Sequence, residues 1–263
     1  MMRFHRLAAV GRRATVLQGC VASLCLIANI VQAQMLIQPV VVELAPRQRA
    51  VAVSVTLSES APAPIRLQAE LLRWKQDLEG HPVTVPSDDL IVSPPLADLQ
   101  PGQRQVFRIA LRGPPSNQEI AYRLILEDIA DTDAAASAAQ GMAINFRMRY
   151  DLPVLVAPVG KVQNALRWSA CASAAAKLAA EAVAAEACVR VLNTGNRRVK
   201  VQMLTLSGDG WQQSLEIRDG ENLLAGSERE WHVPLATAQG GALRCVQIQT
   251  TRGETLQAEA GGY

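Results

Sequence analysis

The feature that most constrains the fold of this chain is a long alternation of apolar and other residues near its middle. In residues 144–156 (INFRMRYDLPVLV) every second side chain, from Ile144 to Val156, is apolar, and the alternate positions of the first half are polar. A β-strand with one apolar face has this period of two, because successive side chains point to opposite faces of a sheet. The run therefore predicts a long strand. Its apolar row contacts either the chain's own core or, from the edge of a sheet, another chain.

The rest of the chain repeats short apolar runs that are divided by Pro, Gly, Asp and Ser. We expect strands at 40–44, 50–57, 65–74, 90–92, 105–111 and 121–126, and then at 166–170, 188–192, 199–206, 215–217, 230–234 and 244–250. Strands of this length and spacing are typical of antiparallel β-sandwiches. The pattern predicts an all-β protein with two domains, residues 34–158 and 159–263, joined by a hinge near residues 157–162. Trp74 is expected to be a core residue, and so are Trp211 and Trp231 of the second domain.

The N-terminal segment predicts export from the cytoplasm. Four arginines precede an uncharged, largely apolar run that ends in Val31-Gln32-Ala33, as in a secretory signal peptide (residues 1–33) cleaved after Ala33. Cleavage would remove those arginines and no acidic residue, which changes the formal charge from +2 to −2. The mature chain is thus not expected to seek nucleic acid. No later segment is suited to stable membrane insertion.

Three cysteines remain in the mature chain, and an oxidising compartment favours disulfides. Cys171 and Cys188 flank an alanine-rich stretch, and their pairing is the one we favour; pairing of Cys188 with Cys245 is the alternative. Either way one thiol stays free. The stretch 172–187 itself predicts a helical insert, because alanine favours helix and fits strands poorly.

Enzymatic function is not expected from this sequence. The two mature histidines, His81 and His232, have no Cys, His or carboxylate cluster at metal-ligand spacing, so no metal site is predicted. The chain also lacks a G-x-S-x-G nucleophile motif and a phosphate-binding glycine loop. We expect neither a catalytic residue nor a cofactor.

Three motifs give the sequence a family resemblance. SPPLADLQPGQ at 93–103, VFRI at 106–109 and EIAYRLILEDI at 119–129 resemble, in order, the first domain of the PapD-like periplasmic pilus (fimbrial) chaperones. NTGNRRVKV at 193–201 is similar, more loosely, to a turn and strand of their second domain. The resemblance implies two immunoglobulin-like β-sandwich domains in an L-shaped arrangement. It also implies a location in the periplasm, pilus subunits as partners and delivery of those subunits to an outer-membrane usher.

The resemblance gives the alternating strand a role. Each subunit lacks one strand of its own sandwich, and the chaperone lends a strand of its first domain to fill the gap, by donor-strand complementation. By motif match that strand is residues 144–156. Its donor side chains are then expected to be Ile144, Phe146, Met148, Tyr150 and Leu152.

The resemblance also implies an anchor for the subunit's C-terminal carboxylate. The best-known branch uses a first-strand arginine and a donor-strand lysine, whose equivalents here fall near 39–41 and at Pro153, where no cation stands. The LPVLV ending and YRL motif resemble instead the archaic or alternative chaperone-usher branch. There an arginine like Arg123 takes this role, and its planar fork suits a carboxylate. Arg108 is expected to be structural, in an ion pair with Glu119.

A second interpretation is an exported structural or adhesive protein with two immunoglobulin-like modules. Such a protein would use residues 144–156 within its own sheet. A further hypothesis concerns the chaperone alone: its free form protects the apolar edge by self-association, because an exposed apolar edge strand is prone to pair.

Overall fold

The computed structural model describes residues 34–129, 147–171, 186–235 and 242–261. The predicted signal peptide and most of the alanine-rich stretch lie outside these residues. The described residues form β-strands and connecting turns, and none of their segments is a helix with the length and apolarity needed to cross a membrane.

Ten strands form the first sandwich. They are β1 (Met35–Gln38), β2 (Val42–Leu44), β3 (Ala50–Leu57), β4 (Ile65–Gln76), β5 (Pro82–Pro86), β6 (Leu90–Ser93), β7 (Leu96–Leu99), β8 (Arg104–Leu111), β9 (Ile120–Asp128) and β10 (Arg149–Val156). One sheet has the order β1-β3-β8-β6, and the other has the order β2-β10-β9-β4-β5 with β7 beside β4. Alternate apolar side chains of the two inner faces, such as Phe107 and Leu124, meet in one core.

Seven strands form the second sandwich. They are β11 (Leu166–Ala170), β12 (Glu186–Asn193), β13 (Val199–Gly208), β14 (Trp211–Leu223), β15 (Glu228–Pro234), β16 (Leu243–Thr250) and β17 (Thr255–Ala260). They join in the order β14-β13-β16-β17-β11-β12-β15, with a parallel contact between β11 and β17. Its core contains Trp168, Leu204, Trp231 and Ile248.

The predicted strands are present, but their bounds differ at several places. The expected strand 40–44 is confirmed only over Val42–Leu44, as β2. Strand β1 was not anticipated; it lies in the other sheet, and Pro39, which has no amide hydrogen to continue a ladder, follows it directly. Strands β5, β7 and β17 were not anticipated, because they are short or largely exposed. The last residues of the expected helical insert, Glu186 and Ala187, belong to β12.

A disulfide joins Cys171 to Cys188, the favoured pairing, and Cys245 is free. Cys171 follows β11 and Cys188 lies in the neighbouring strand β12, where its carbonyl accepts a hydrogen bond from the Cys171 amide at 3.3 Å. The alternative partner, Cys245, lies in β16, which does not adjoin β12.

A buried tyrosine fixes one loop of the first sandwich. The Tyr122 hydroxyl, on β9, donates a hydrogen bond of 2.9 Å to Asp89 Oδ2, which also accepts bonds from Ser87 and Arg73. Hydrogen bonds from Ser87 and Tyr122 lower the pKa of Asp89 below its usual 3.8. Burial in turn raises the pKa of Tyr122.

We expect this network to contribute a stability that depends on pH. Because the folded pKa of Asp89 is depressed, its contribution is present above the unfolded pKa near 3.8 and is lost as pH falls through the lower folded value. Asp89→Asn should therefore lower the free energy of unfolding at pH 7, and the difference from wild type should shrink in acid. Urea titrations at several pH values measure it. Tyr122→Phe, which removes one hydrogen bond, should cost about 0.5–1.5 kcal/mol.

Candidate functional site

The outer edge of β10 is open over part of its length. β9 pairs with β10 from Arg149 to Val156, but β2 pairs only with Val154 to Val156. In the described part of the chain, no strand covers β10 from Arg149 to Pro153 on that side. An open edge of this kind can add a strand from another protein.

The hydrogen-bond phase of β10 fixes which backbone groups face this edge. Met148 O accepts a bond from Asp128 N at 2.9 Å, and at the other end Ala157 N donates to Leu44 O of β2 at 2.9 Å. Since bonding alternates along an antiparallel strand, even-numbered residues bond to β9 and odd-numbered residues face outward. Arg149 and Asp151 therefore offer both N–H and C=O to a partner. Pro153 offers a carbonyl alone.

The predicted donor row divides into an exposed and a buried part. Met148 is 45% exposed, whereas Tyr150 is half-buried against the core and Leu152 is only 7% exposed. The donor prediction for Leu152 is therefore wrong for this structure, and Tyr150 is largely committed to its own domain. The reason is that β10 covers the first sandwich's core from Tyr150 onward. Ile144 and Phe146 lie outside the described residues.

Arg123 lies on the outer face of the same sheet. Its guanidinium carbon stands 3.7 Å from the centroid of the Trp74 ring, and Nη1 lies 3.4 Å from Asp151 Oδ1 on β10. The side chain is 17% exposed, and its Nε is buried without a hydrogen-bond partner among the described atoms. The stack on Trp74 orients the planar fork, and the single ion pair with Asp151 leaves donor capacity for a further acceptor.

Trp74 connects this arginine to a cleft between the two sandwiches. We expected Trp74 in a domain core, but it lies on the outer face of β4 and packs with Ala121, Leu155 and Leu224 of the second sandwich. The cleft has a volume of about 450 Å³, and residues 73–78, 118–121 and 224–228 line it. Trp211 and Trp231 lie in the second core, as expected.

A buried ion pair bridges the sandwiches on one side of the cleft. Glu119, whose side chain is 3% exposed, accepts hydrogen bonds from Arg198 Nη1 at 2.6 Å and from Arg198 N at 3.0 Å. Arg198 also pairs with Glu43 of β2, and Arg197 Nε lies 3.7 Å from Glu119. Backbone contact adds a bond of 2.8 Å from Glu119 N to Asn196 O.

The predicted pair of Arg108 with Glu119 is therefore wrong. Glu119 lies just before β9, at the end of the first sandwich that meets the second, and its partners come from the second sandwich. Arg108 is exposed in the middle of β8, in the opposite sheet. The missed partners, Arg197 and Arg198, belong to the NTGNRRVKV motif, which the sequence had marked as a feature of the second domain.

A second bridge lies at the other side of the cleft. Gln76 accepts a bond from Leu224 N at 2.9 Å and donates one to Asn222 O at 2.7 Å. Leu78 O accepts a bond of 2.7 Å from Glu230 N. The adjoining turn contains Gly80 at φ +85°, where a Cβ would lie 2.2 Å from the Arg229 guanidinium. The positive φ favours glycine there, whereas the contact alone could be relieved by movement of the flexible Arg229 side chain.

We expect Glu119→Gln to lower the free energy of unfolding more than the same substitution at Glu43, the more exposed partner of Arg198. Arg198 would lose its buried counter-ion but keep Glu43, so the loss in free energy of unfolding should be about 3 kcal/mol. Glu43→Gln, at the half-exposed end of the same network, should cost less than about 1 kcal/mol. Calorimetry would measure both, and equal effects of the two substitutions would contradict a buried bridge.

Comparison with known proteins identifies the class to which this architecture belongs. Residues 34–161 match the family described as "Pili and flagellar-assembly chaperone, PapD N-terminal domain". These residues, which form the first sandwich, belong to that family of PapD-like pilus chaperone domains. This is a family of binding and assembly proteins rather than enzymes. A search of curated protein sequences finds no match.

Solved structures share the whole fold. A chain from the Acinetobacter baumannii CsuC-CsuE chaperone-tip adhesion subunit pre-assembly complex of archaic chaperone-usher Csu pili is 18% identical, with a TM-score of 0.59, and the match covers 88% of this chain and 100% of that one. The class 5 fimbriae chaperone CfaA is 14% identical with the same TM-score, over 87% of this chain and 100% of its own. The all-β prediction with two immunoglobulin-like sandwiches is confirmed.

Proposed function

We propose that this protein is a periplasmic chaperone that holds pilus subunits by lending them a strand and delivers them to an outer-membrane usher. The observation that carries the proposal is the open edge of β10 with exposed Met148 at its leading end. Family membership of the first domain and the export signal predicted for residues 1–33 support it. Neither ATP nor another cofactor is required, since release proceeds by exchange of one strand for another.

We assign different roles to the two halves of the alternating run 144–156. Leu152, Val154 and Val156 hold the strand on the first sandwich's own core. Met148, and by sequence Ile144 and Phe146, then enter the groove of an incomplete subunit sandwich. Each large apolar side chain should contribute on the order of 1.5–3 kcal/mol before ordering costs. Outward-facing amides at Arg149 and Asp151 add roughly 0.5–1.5 kcal/mol per hydrogen bond.

Arg123 is the proposed anchor for the subunit's terminal carboxylate. Its guanidinium is oriented by Trp74 and already contacts a carboxylate, that of Asp151. An incoming carboxylate would share or replace that contact beside the open edge of β10. This arrangement favours the archaic or alternative branch of the chaperone-usher pathway, in which an arginine of this strand serves as anchor.

The strand-lending step is tested by charge substitution in the donor row. The mature chain is coexpressed with candidate subunits from neighbouring genes, and one-to-one complexes are purified. Met148→Asp and Phe146→Asp should each reduce affinity for the subunit about ten- to a hundredfold, because each places a charge in an apolar groove. Arg147→Asp, on the alternate row, is the matched control. Complexes indifferent to Met148→Asp and Phe146→Asp would rule out the proposed donor row.

The anchor is tested separately at Arg123. Arg123→Ala should weaken subunit capture while the free chain stays folded, and Arg123→Lys should restore only part of the binding because it lacks the planar fork. Arg149→Ala breaks the exposed pair with Glu127 and controls for loss of an arginine near the edge. Equal binding by the wild type and the Arg123→Ala variant would exclude Arg123 as the anchor.

A further inference from the structure

The outer face of the second sandwich brings together side chains that the sequence keeps apart. Cys188 on β12 stands directly opposite His232 on β15, and Cys171 lies beside Cys188 at the end of β11. The three residues form one row across three adjacent strands. Glu230 lies two residues before His232 on the same face of β15.

The distances in this row approach those of a metal site. Ligand atoms of Cys171, Cys188 and Glu230 lie within 4.8 Å of one another, and Cys188 Sγ lies 3.7 Å from His232 Nε2. A tetrahedral zinc ion with Zn–S of about 2.3 Å and Zn–N of about 2.0–2.1 Å separates sulfur from nitrogen by about 3.6 Å. The Cys188 sulfur and the His232 nitrogen thus already stand at ligand spacing, and the two sulfurs, now bonded to each other, must move apart.

The histidine is also oriented as a ligand. Its other ring nitrogen, Nδ1, lies 3.5 Å from Glu186 Oε2. In metal-binding histidines a carboxylate beside one ring nitrogen accepts its proton and leaves the other nitrogen for the metal, and Glu186 stands in that place beside Nδ1. His81 has a similar carboxylate partner, Asp77, but no sulfur beside it among the described residues.

The surrounding charges favour a cation. Three carboxylates, those of Glu186, Glu228 and Glu230, stand around the row, and Arg190 is the cation that pairs with Glu230 and Glu228. Bound to Arg190 at 2.5–2.9 Å through Oε1, Glu230 is a fixed carboxylate beside the sulfurs. Two cysteines, one histidine and a carboxylate or water are a common zinc ligand set.

We propose that Cys171, Cys188 and His232, with Glu230 as the fourth donor, form a Zn²⁺ site when the disulfide is reduced. A dithiol reductant transfers two electrons and two protons to the disulfide, becomes a disulfide itself and leaves two thiols. Zn²⁺ then displaces both thiol protons to solvent and binds the two thiolates and neutral His232. The same pair of strands is therefore fastened either by the sulfur–sulfur bond or by the metal.

The test uses the full mature chain with Cys245→Ser, which removes the remaining free thiol. The protein is reduced with dithiothreitol, freed of reductant without oxygen and titrated with Co²⁺. Tetrahedral thiolate ligation should give charge-transfer and visible d–d bands, which Zn²⁺ should abolish by displacement. The oxidised protein should give neither band. Cys188→Ser in this background should abolish the charge-transfer band or reduce it to a remnant.

Two histidine variants separate ligation from general effects. His232→Gln should weaken Zn²⁺ binding at least tenfold, measured against a chromophoric chelator, and Glu186→Gln about ten- to a hundredfold as loss of a supporting hydrogen bond. His81→Gln, the matched control, should leave it unchanged. An absent charge-transfer band in the reduced protein, or equal affinity after His232→Gln, would overturn the proposal.

The stability of the reduced chain provides a second readout. Because Zn²⁺ would bind the folded reduced site, it should raise the thermal unfolding midpoint of the reduced Cys245→Ser chain and not that of the oxidised one. A midpoint of the reduced chain that does not respond to Zn²⁺ would also overturn the proposal. Neither result bears on subunit capture by β10, which belongs to the other sandwich.

Discussion

The hydrogen-bond ladder of β10 is the constraint on which the rest of this structure depends. β9 holds the strand along its whole length, while β2 holds it only over its last three residues. Here the inner half is fixed as core and the outer half keeps an unshared edge, so one strand serves both the chaperone and, by our proposal, its client.

The two bridges between the sandwiches protect that arrangement. Both bridges hold the second sandwich against the outer face that carries Trp74 and Arg123. One joins Glu119 to Arg198, and the other joins Gln76 to the backbone of residues 222 and 224. Polar contacts with satisfied partners fix an angle more narrowly than apolar packing does, because hydrogen bonds are directional. The cleft beside Arg123 therefore has defined walls.

Much of the fold could be predicted from the sequence, because alternation and turn residues report strands directly. What alternation cannot report is where a row stops facing its own core: Tyr150 and Leu152 continue the pattern of Met148, yet only Met148 is exposed. Trp74 was assigned to a core because tryptophan is usually buried, and it is buried, but between domains. Glu119 was given the wrong partner, since the arginines that reach it are nearly eighty residues away in the chain. The approach of His232 to Cys188 was not foreseen for the same reason, since 44 residues separate them.

Pro153 ends the open edge of β10, and this bears on the alignment of a client strand. A client strand beside β10 could hydrogen-bond to Arg149 and Asp151, but at Pro153 it would find no amide hydrogen. Sliding a client by two residues keeps its side chains on the correct face yet moves one of its acceptors opposite that missing donor. If a client pairs as we propose, the missing amide at Pro153 would favour one alignment of its strand over the alignment shifted by two residues.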